Sequence, residues 1–497
     1  ELRRAFLILK DQLFWYVNRE PERRADPTTL TAFRDSASRN SNTTRVTAKD
    51  LDDISKLVKE KWGYETGGYD NYVNETKSDK GLFKLDYNIS NGHRLSFRYN
   101  FLKSTRDVFI SNSGTVTSGS NRNSINALSY KNSNYIINND VHSYIAELNS
   151  IFSSRVSNSF SVGYTANRDY RSSNSSVIPL IDILDGSNNQ YISLGYEPFT
   201  PNNTLNTDVS QFQDNLTFYL NNHTLTAGVN YETFAFDNLF TPTFYGQYVF
   251  NNINDFKNAL NGDSVALRRY ALNYSALPNQ ELPWATTKVQ MPGAYLQDEI
   301  SLLNNKLSLT VGVRIDVPIF AETALRNVLV DTMKFKDENG NVVNFGTDKL
   351  PNKQYMFSPR LGFNYDVMGN RKLQVRGGTG VFTGRPPFVW ISNVVGNNGV
   401  LQGSITQDNT NTRKYKFSND VTANIPANAT ASPSYNLALI DQGFKFPQVW
   451  RNDLAFDFSL PQGLILTVEG IYSKTLNNIY YINANQELST GNFSGDD

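Results

Sequence analysis

Between Gly81 and Leu102 the chain alternates with a period of two on both sides of Asn91-Gly92. Phe83, Leu85, Tyr87 and Ile89, then Leu95, Phe97, Tyr99 and Phe101, are apolar, while Lys84, Asp86, Asn88, Arg94, Ser96, Arg98 and Asn100 fill the places between. Successive side chains of a strand point to opposite faces, and Asn91-Gly92 is a strong short-range hairpin signal, so this is the pattern of a β-hairpin. One face is apolar and the other charged.

The pattern recurs along the chain as paired runs joined by short polar turns. Tyr144, Ala146, Leu148 and Phe152 are followed by Phe160, Val162, Tyr164 and Ala166; Leu216, Phe218 and Leu220 by Leu225, Ala227, Val229 and Tyr231. Leu296, Ile300 and Leu302 precede Leu307, Leu309, Val311, Val313 and Ile315, and Leu361, Phe363 and Tyr365 precede Leu373 and Val375. Leu454, Phe456, Phe458 and Leu460 precede Leu464, Leu466 and Val468, and Phe6 to Leu9 with Leu13 to Val17 form another pair at the start. Seven pairs predict about 14 strands, each near the 9–11 residues that a tilted membrane strand needs.

A soluble sandwich also alternates, so two further features decide between them. Every second connection is short, whereas the others span roughly 18–80, 103–141, 171–210, 235–293, 318–356 and 385–448. Short turns on one rim and long loops on the other are the asymmetry of an outer-membrane barrel. The apolar parity also holds no Lys or Arg in the best-aligned strands, as expected where such a charge costs about 2–4 kcal/mol at the bilayer midplane. Lys84, Arg94, Arg98, Arg314 and Arg376 all fall on the other parity, which predicts a wet lumen. Asp298 falls on the apolar parity and is expected near a membrane boundary. The predicted fold class is therefore all-β: a large transmembrane antiparallel β-barrel with long extracellular loops.

Composition removes the main rivals. Equal counts of 47 basic and 47 acidic side chains leave no electrostatic footprint for nucleic acid. Apolar runs of about five residues fall far short of the roughly 18 required of a spanning helix. With no cysteine and only His93, His142 and His223, metal and acid-base chemistry have few carriers, so no enzyme activity, metal or cofactor is expected. Asp298 and Glu299 are adjacent in a strand and point to opposite faces, so they cannot act as a pair. Gly377-Gly-Thr-Gly380 lacks the helix and the Lys-Ser/Thr ending of a phosphate loop; glycines inside a strand pattern mark a bend or a close backbone approach.

The long loops are rich in Asn, Ser, Thr and Gly, yet two segments read as helices. Thr47-Ala-Lys-Asp50 resembles a capping box ahead of Leu51, Ile54, Leu57 and Val58, and the run ends at Gly63. A weaker signal covers Asn252 to Gly262, with Ile253, Phe256 and Leu260 on one face. Both are expected to pack on neighbouring loops. Trp62, Tyr64, Tyr69, Phe244, Tyr245, Trp284, Phe388 and Trp390 are candidate ligand contacts, since aromatics dominate recognition surfaces; packing of ordered loops explains them equally.

Several stretches resemble the barrel of the Oar-like (OmpA-related) TonB-dependent receptors. They are Phe357-Ser-Pro-Arg-Leu-Gly-Phe-Asn-Tyr-Asp366, Leu373 through Pro387 and Val389-Trp-Ile-Ser-Asn393, together with Tyr295-Leu-Gln-Asp298 and Leu307 to Asp316. Arg45 to Leu51 with Trp62-Gly-Tyr64, Phe446-Pro-Gln-Val-Trp450 and Glu469-Gly-Ile-Tyr-Ser-Lys474 fit the same subfamily. The resemblance implies a barrel of about 22 strands in a Gram-negative outer membrane, closed by a plug domain. It implies as partners outer-membrane lipid, the chain's own plug, TonB with its inner-membrane motor proteins, and a surface lipoprotein or secreted protein. It aligns residues 1–497 with about strands 2 to 15, without the signal peptide, carboxypeptidase-regulatory-like domain, TonB box, plug or C-terminal strands. The implied activity is energised transport of a large solute, peptide or protein cargo. The alternative is a passive or structural barrel, a porin or adhesion scaffold displaying its loops.

Overall fold

The computed structural model describes residues 2–9, 11–116, 120–431 and 436–486. Fourteen strands follow one another in chain order through a single antiparallel sheet. They are β1 (Leu2–Leu9), β2 (Leu13–Pro27), β3 (Val73–Ser90), β4 (His93–Val108), β5 (Tyr135–Ser153), β6 (Val156–Ser173) and β7 (Thr204–Leu220). The second half comprises β8 (His223–Leu239), β9 (Ala285–Leu302), β10 (Leu307–Asp316), β11 (Met356–Asp366), β12 (Leu373–Thr383), β13 (Gln448–Ser459) and β14 (Ile465–Asn477). Each pairs with its sequence neighbours, as the hairpin reading predicts. Asn221, Asn304 and Asn305 take positive φ in the short turns, a conformation Asn tolerates better than most residues.

Phe14, Phe382 and Ile471 are exposed on the charged parity, but many of the large apolar side chains left exposed on the sheet share the other: Tyr87, Leu95, Tyr144, Val162, Tyr164, Phe212, Tyr231, Leu296, Val311, Val313, Leu361, Leu454 and Val468. This is the lipid belt. Tyr99 stacks on Tyr144 with ring centroids 4.8 Å apart, part of the amphipathic aromatics that suit a membrane interface. Asp298 is on the belt and bonds His223 Nδ1 at 2.7 Å, four residues before the end of β9 at a short turn. Asp214, which the sequence reading passed over, also has belt parity and accepts from Asn158 Nδ2 at 2.6 Å. His142 Nδ1 meets Tyr99 Oη at 2.7 Å. In β12 a side chain at Gly377 would place its Cβ 2.8 Å from the Asp453 carbonyl oxygen, so that glycine permits a close strand approach.

The strands differ from expectation in length. Several reach 16–19 residues, so four long connections shrink to 28–72, 109–134, 174–203 and 240–284, while 317–355 and 384–447 keep the expected length. Strand pairing continues beyond the belt because the strand ends have folded loops to pack against. Those loops carry α1 (Ala48–Trp62), α2 (Ile253–Leu260), α3 (Phe388–Gly396) and a six-stranded sheet of their own. The order in that sheet is Gln402–Asp408, Arg269–Ser275, Gln247–Phe250, Leu180–Leu184, Gln190–Leu194, Leu128–Ser129. Four different loops thus supply one sheet.

Candidate functional site

The loop sheet packs with α1 and α2 into one body, a dome built from the long connections. Thr47 caps α1 by accepting from the Asp50 amide, and Gly63 ends it in the left-handed conformation, as the capping motif requires. Leu51, Ile54 and Val58 of α1 and Phe256 of α2 then bury against Ile181, Ile183, Ile192, Leu194, Tyr248, Phe250 and Tyr270. Both helices pack on neighbouring loops, as expected.

Polar contacts lock the loops together. Tyr64 Oη meets Ser175 Oγ at 2.9 Å, Tyr130 Oη donates to the Leu51 carbonyl at 2.6 Å, and Tyr248 Oη donates to the Lys416 carbonyl at 2.6 Å. At the centre, Arg122 Nε and Nη2 donate to the two oxygens of Asp182 at 2.9 and 2.8 Å. Gln190, Ser193 and Gln247 also donate to that carboxylate at 3.0, 2.7 and 2.7 Å. Burial alone would raise the Asp182 carboxyl, but the Arg122 charge and these donors hold it below the usual carboxylate range. Glu197 is different: burial pushes its carboxyl up, outweighing the Thr200 Oγ1 and Phe199 amide donors to Oε2 and the Arg171 guanidinium 3.9 Å from that oxygen, while Oε1 has no hydrogen-bond partner among the described residues.

The eight candidate aromatics do not converge on one site. Trp62 and Tyr69 pack at the edge of the dome core, Trp62 against Phe417 with centroids 5.0 Å apart, and Tyr64 is buried within it. Phe244 and Tyr245 are neighbours at 5.9 Å, and Tyr245 meets Tyr196 edge-on at 5.0 Å. Trp284 and Trp390 are exposed, while Phe388 is buried in a second core.

That second core is the feature the sequence reading missed. Along β8 the apolar parity is odd through Val229 and Tyr231, then becomes even at Phe234 and Phe236. On β9, paired with β8, Val289 and Met291 are apolar on the parity opposite to Leu296 and Ile300. The swap occurs at matched heights, Phe234 opposite Val289 and Glu232 opposite Met291. Above it the outer face is wet, with Lys288 and Gln290 exposed. The inner face instead packs on α3, where Phe388, Ile391, Val394 and Val395 bury against Phe234, Phe236, Ala285, Val289 and Met291. Leu205 and Val209 of β7 and Met356 of β11 extend the same tier. Each fully buried side chain of this size contributes about 1.5–3 kcal/mol. The wet-lumen expectation thus needs correction in this sector, because a loop helix replaces water there. At the entry to α3, Arg385 pairs with Glu232 and lies over the Phe234 ring at 5.2 Å.

Elsewhere the sheet face opposite the belt is charged. Lys84 and Arg94 both bond Asp86, at 2.8 and 3.0 Å, and Arg98 stands opposite Lys84 in the register. Arg314 bonds Asp316 at 2.6 Å and Asn230 at 2.8 Å; Arg376 bonds Asp457 at 3.0 Å and lies 3.5 Å from Glu469. A recess of about 360 Å³ opens on β2 to β5, lined by Asn18, Glu20, Lys80, Leu82, Asn100 and Leu102 among others.

An apolar outer belt, a charged inner wall and loops folded over one rim define a class, the transmembrane β-barrels of the outer membrane. A family model described as outer membrane beta barrel domain matches residues 14–495. The chain belongs to that family, and its location is the outer membrane. Among solved structures it is similar to the outer membrane transporter YddB from Escherichia coli, at 12% identity and TM-score 0.56, over 95% of this chain and 46% of that one. The ferric-catecholate import receptor Fiu from Escherichia coli K12 matches at 10% identity and TM-score 0.47, over 97% of this chain and 57% of that one. The ferric enterobactin receptor PfeA from Pseudomonas aeruginosa matches at 12% identity and TM-score 0.45, over 95% and 49%. The chain thus spans about half the length of these structures. No curated protein matches it.

Proposed function

We propose that the chain is the barrel portion of a TonB-dependent transporter of the Oar-like branch, moving a large solute, peptide or protein with energy from the inner-membrane proton gradient. The observation that carries this reading is the packed dome of loops over a charged inner wall: an ordered receiving surface above a hydrophilic passage. The YddB-like fold and the Oar-like motifs support it. β1 and β14 have no second partner among the described residues, and hydrocarbon does not tolerate an open strand edge. In this reading those edges are paired in the membrane, to further strands or to each other, around a plug that couples to TonB.

The test compares wild-type cells, cells lacking this protein and cells lacking TonB, by solute uptake and by mass spectrometry of surface and secreted proteins. Energised transport predicts a solute or protein whose distribution changes in the same way on either loss. A change on loss of the barrel alone would favour a passive or display function.

A further inference from the structure

We propose that α3 is a fixed wedge, a permanent part of the wall, and does not act as a lid. It closes the sector of the mouth in front of β7, β8, β9 and β11. Whatever traverses the lumen then runs along the opposite wall, β2 to β6, past Asn18, Glu20, Lys80, Lys84, Asp86 and Arg94. The part of this inference that concerns passage rests on the transporter reading; the fixed position of α3 does not.

Three observations carry it. The parity swap on β8 and β9 places Phe234, Phe236, Val289 and Met291 on the inner face, where they would be costly in a wet lumen if α3 moved away. A mobile lid is drawn from the least stable part of a fold, with few buried apolar contacts, whereas Ile391, Ser392, Val394 and Val395 are each no more than 4% exposed. The segment is also fastened at both ends. Arg385 pairs with Glu232 before the helix, and after it Asn398 Nδ2 donates to the Val395 carbonyl at 2.9 Å while Asn327 Nδ2 donates to the Asn398 carbonyl at 3.0 Å. The wall that stays open is the charged one. Its occupant is therefore a hydrophilic chain or solute rather than an apolar one.

This chain holds no cysteine, so once any cysteine elsewhere in the full-length protein is replaced, the introduced thiols are the ones labelled. Ser392 is fully buried and its hydroxyl has no hydrogen-bond partner, so Ser392→Cys removes no bond; Val328, 66% exposed on a long loop, supplies the external control as Val328→Cys. Full-length protein in intact cells is treated with a membrane-impermeant maleimide, with and without a protonophore. A fixed wedge predicts labelling of Ser392→Cys at least about tenfold slower than Val328→Cys in both conditions. Labelling within twofold of the control, or acceleration in energised cells, would overturn it.

A second variant decides the matter if Ser392→Cys fails to assemble. A Cβ at Gly396 would lie 3.4 Å from that of Ala285, close to the roughly 3.5–4.5 Å of a disulfide. Ala285→Cys with Gly396→Cys is expected to cross-link spontaneously in an otherwise normal barrel, and absence of the cross-link would count against the wedge. If Val328→Cys itself resists labelling, the failure belongs to the dome-outward orientation of the proposed function, and the cross-link still tests the wedge.

Discussion

Arg122 and Asp182 form a two-bond ion pair with side chains 0% and 1% exposed, joining the 109–134 loop to the strand Leu180–Leu184 of the 174–203 loop. Asp182 sits on Leu180–Leu184, between the strands that carry Gln190 and Gln247, so one carboxylate ties three connections together. Removing one partner of a buried pair typically costs about 3–5 kcal/mol, because the other charge stays buried alone. Arg122→Met is therefore expected to loosen the dome while leaving the membrane sheet intact. Limited proteolysis of intact cells should show new cleavage within the long loops, with normal heat-modifiable migration of the barrel.

The same pair sets an acid limit. The folded-state pKa of Asp182 lies below its ordinary 3.8, so its contribution to stability is present above that value and is lost as pH falls through the folded pKa. Acidification from pH 5 toward 3 should increase loop cleavage by an acid-active protease. Asp182→Asn should cleave more readily at pH 5 and show a flatter pH response.

Glu197 has the opposite sign. Its folded pKa is raised by burial, so its contribution favours the fold below the ordinary 4.5 and fades as pH rises through the raised value. Glu197→Gln keeps an acceptor for Thr200 and the Phe199 amide while removing the buried charge. At neutral pH the variant should resist loop proteolysis as well as the wild type or better; a clear loss of resistance would mean that the charge itself is needed.

How legible the molecule was depends on distance along the chain. Inside the membrane each strand meets its sequence neighbour, so the alternation around Asn91-Gly92 was enough to write down the hairpin over Gly81 to Leu102, which the strands carry further, to Val73 and Val108. α1 was equally local, since Thr47, Asp50 and Gly63 cap it within its own segment. The dome sheet was hidden because its strands are short and pair across loops: Ile181 opposite Tyr248, Ile192 opposite Leu128. The second core did leave a trace. Phe234 and Phe236 break the parity set by Val229 and Tyr231, and such a swap marks the height where a strand leaves lipid and begins to pack inward. The candidate aromatics could not be sorted by sequence, because residue type does not distinguish Tyr64, buried, from Trp390, exposed.

Within that inner core, Phe388→Ala should cost about 3–5 kcal/mol, the usual range for a buried Phe. Trp390, 41% exposed and touching Tyr481 edge-on at 5.5 Å, should tolerate alanine with a much smaller loss. Urea midpoints of the purified full-length protein in detergent would separate the two; equal shifts would mean that α3 does not pack as described.

The central claim is that one parity of the sheet faces lipid and the other a filled, polar interior. Single spin labels placed in turn from Leu307 to Asp316 on β10, in lipid vesicles, test it most directly. The account predicts alternating collision rates with oxygen, high at Leu309, Val311 and Val313 and low at Ser308, Thr310 and Gly312, with a period of two. Equal oxygen accessibility on both parities, or high accessibility to a water-soluble nickel complex at Val311, would contradict it.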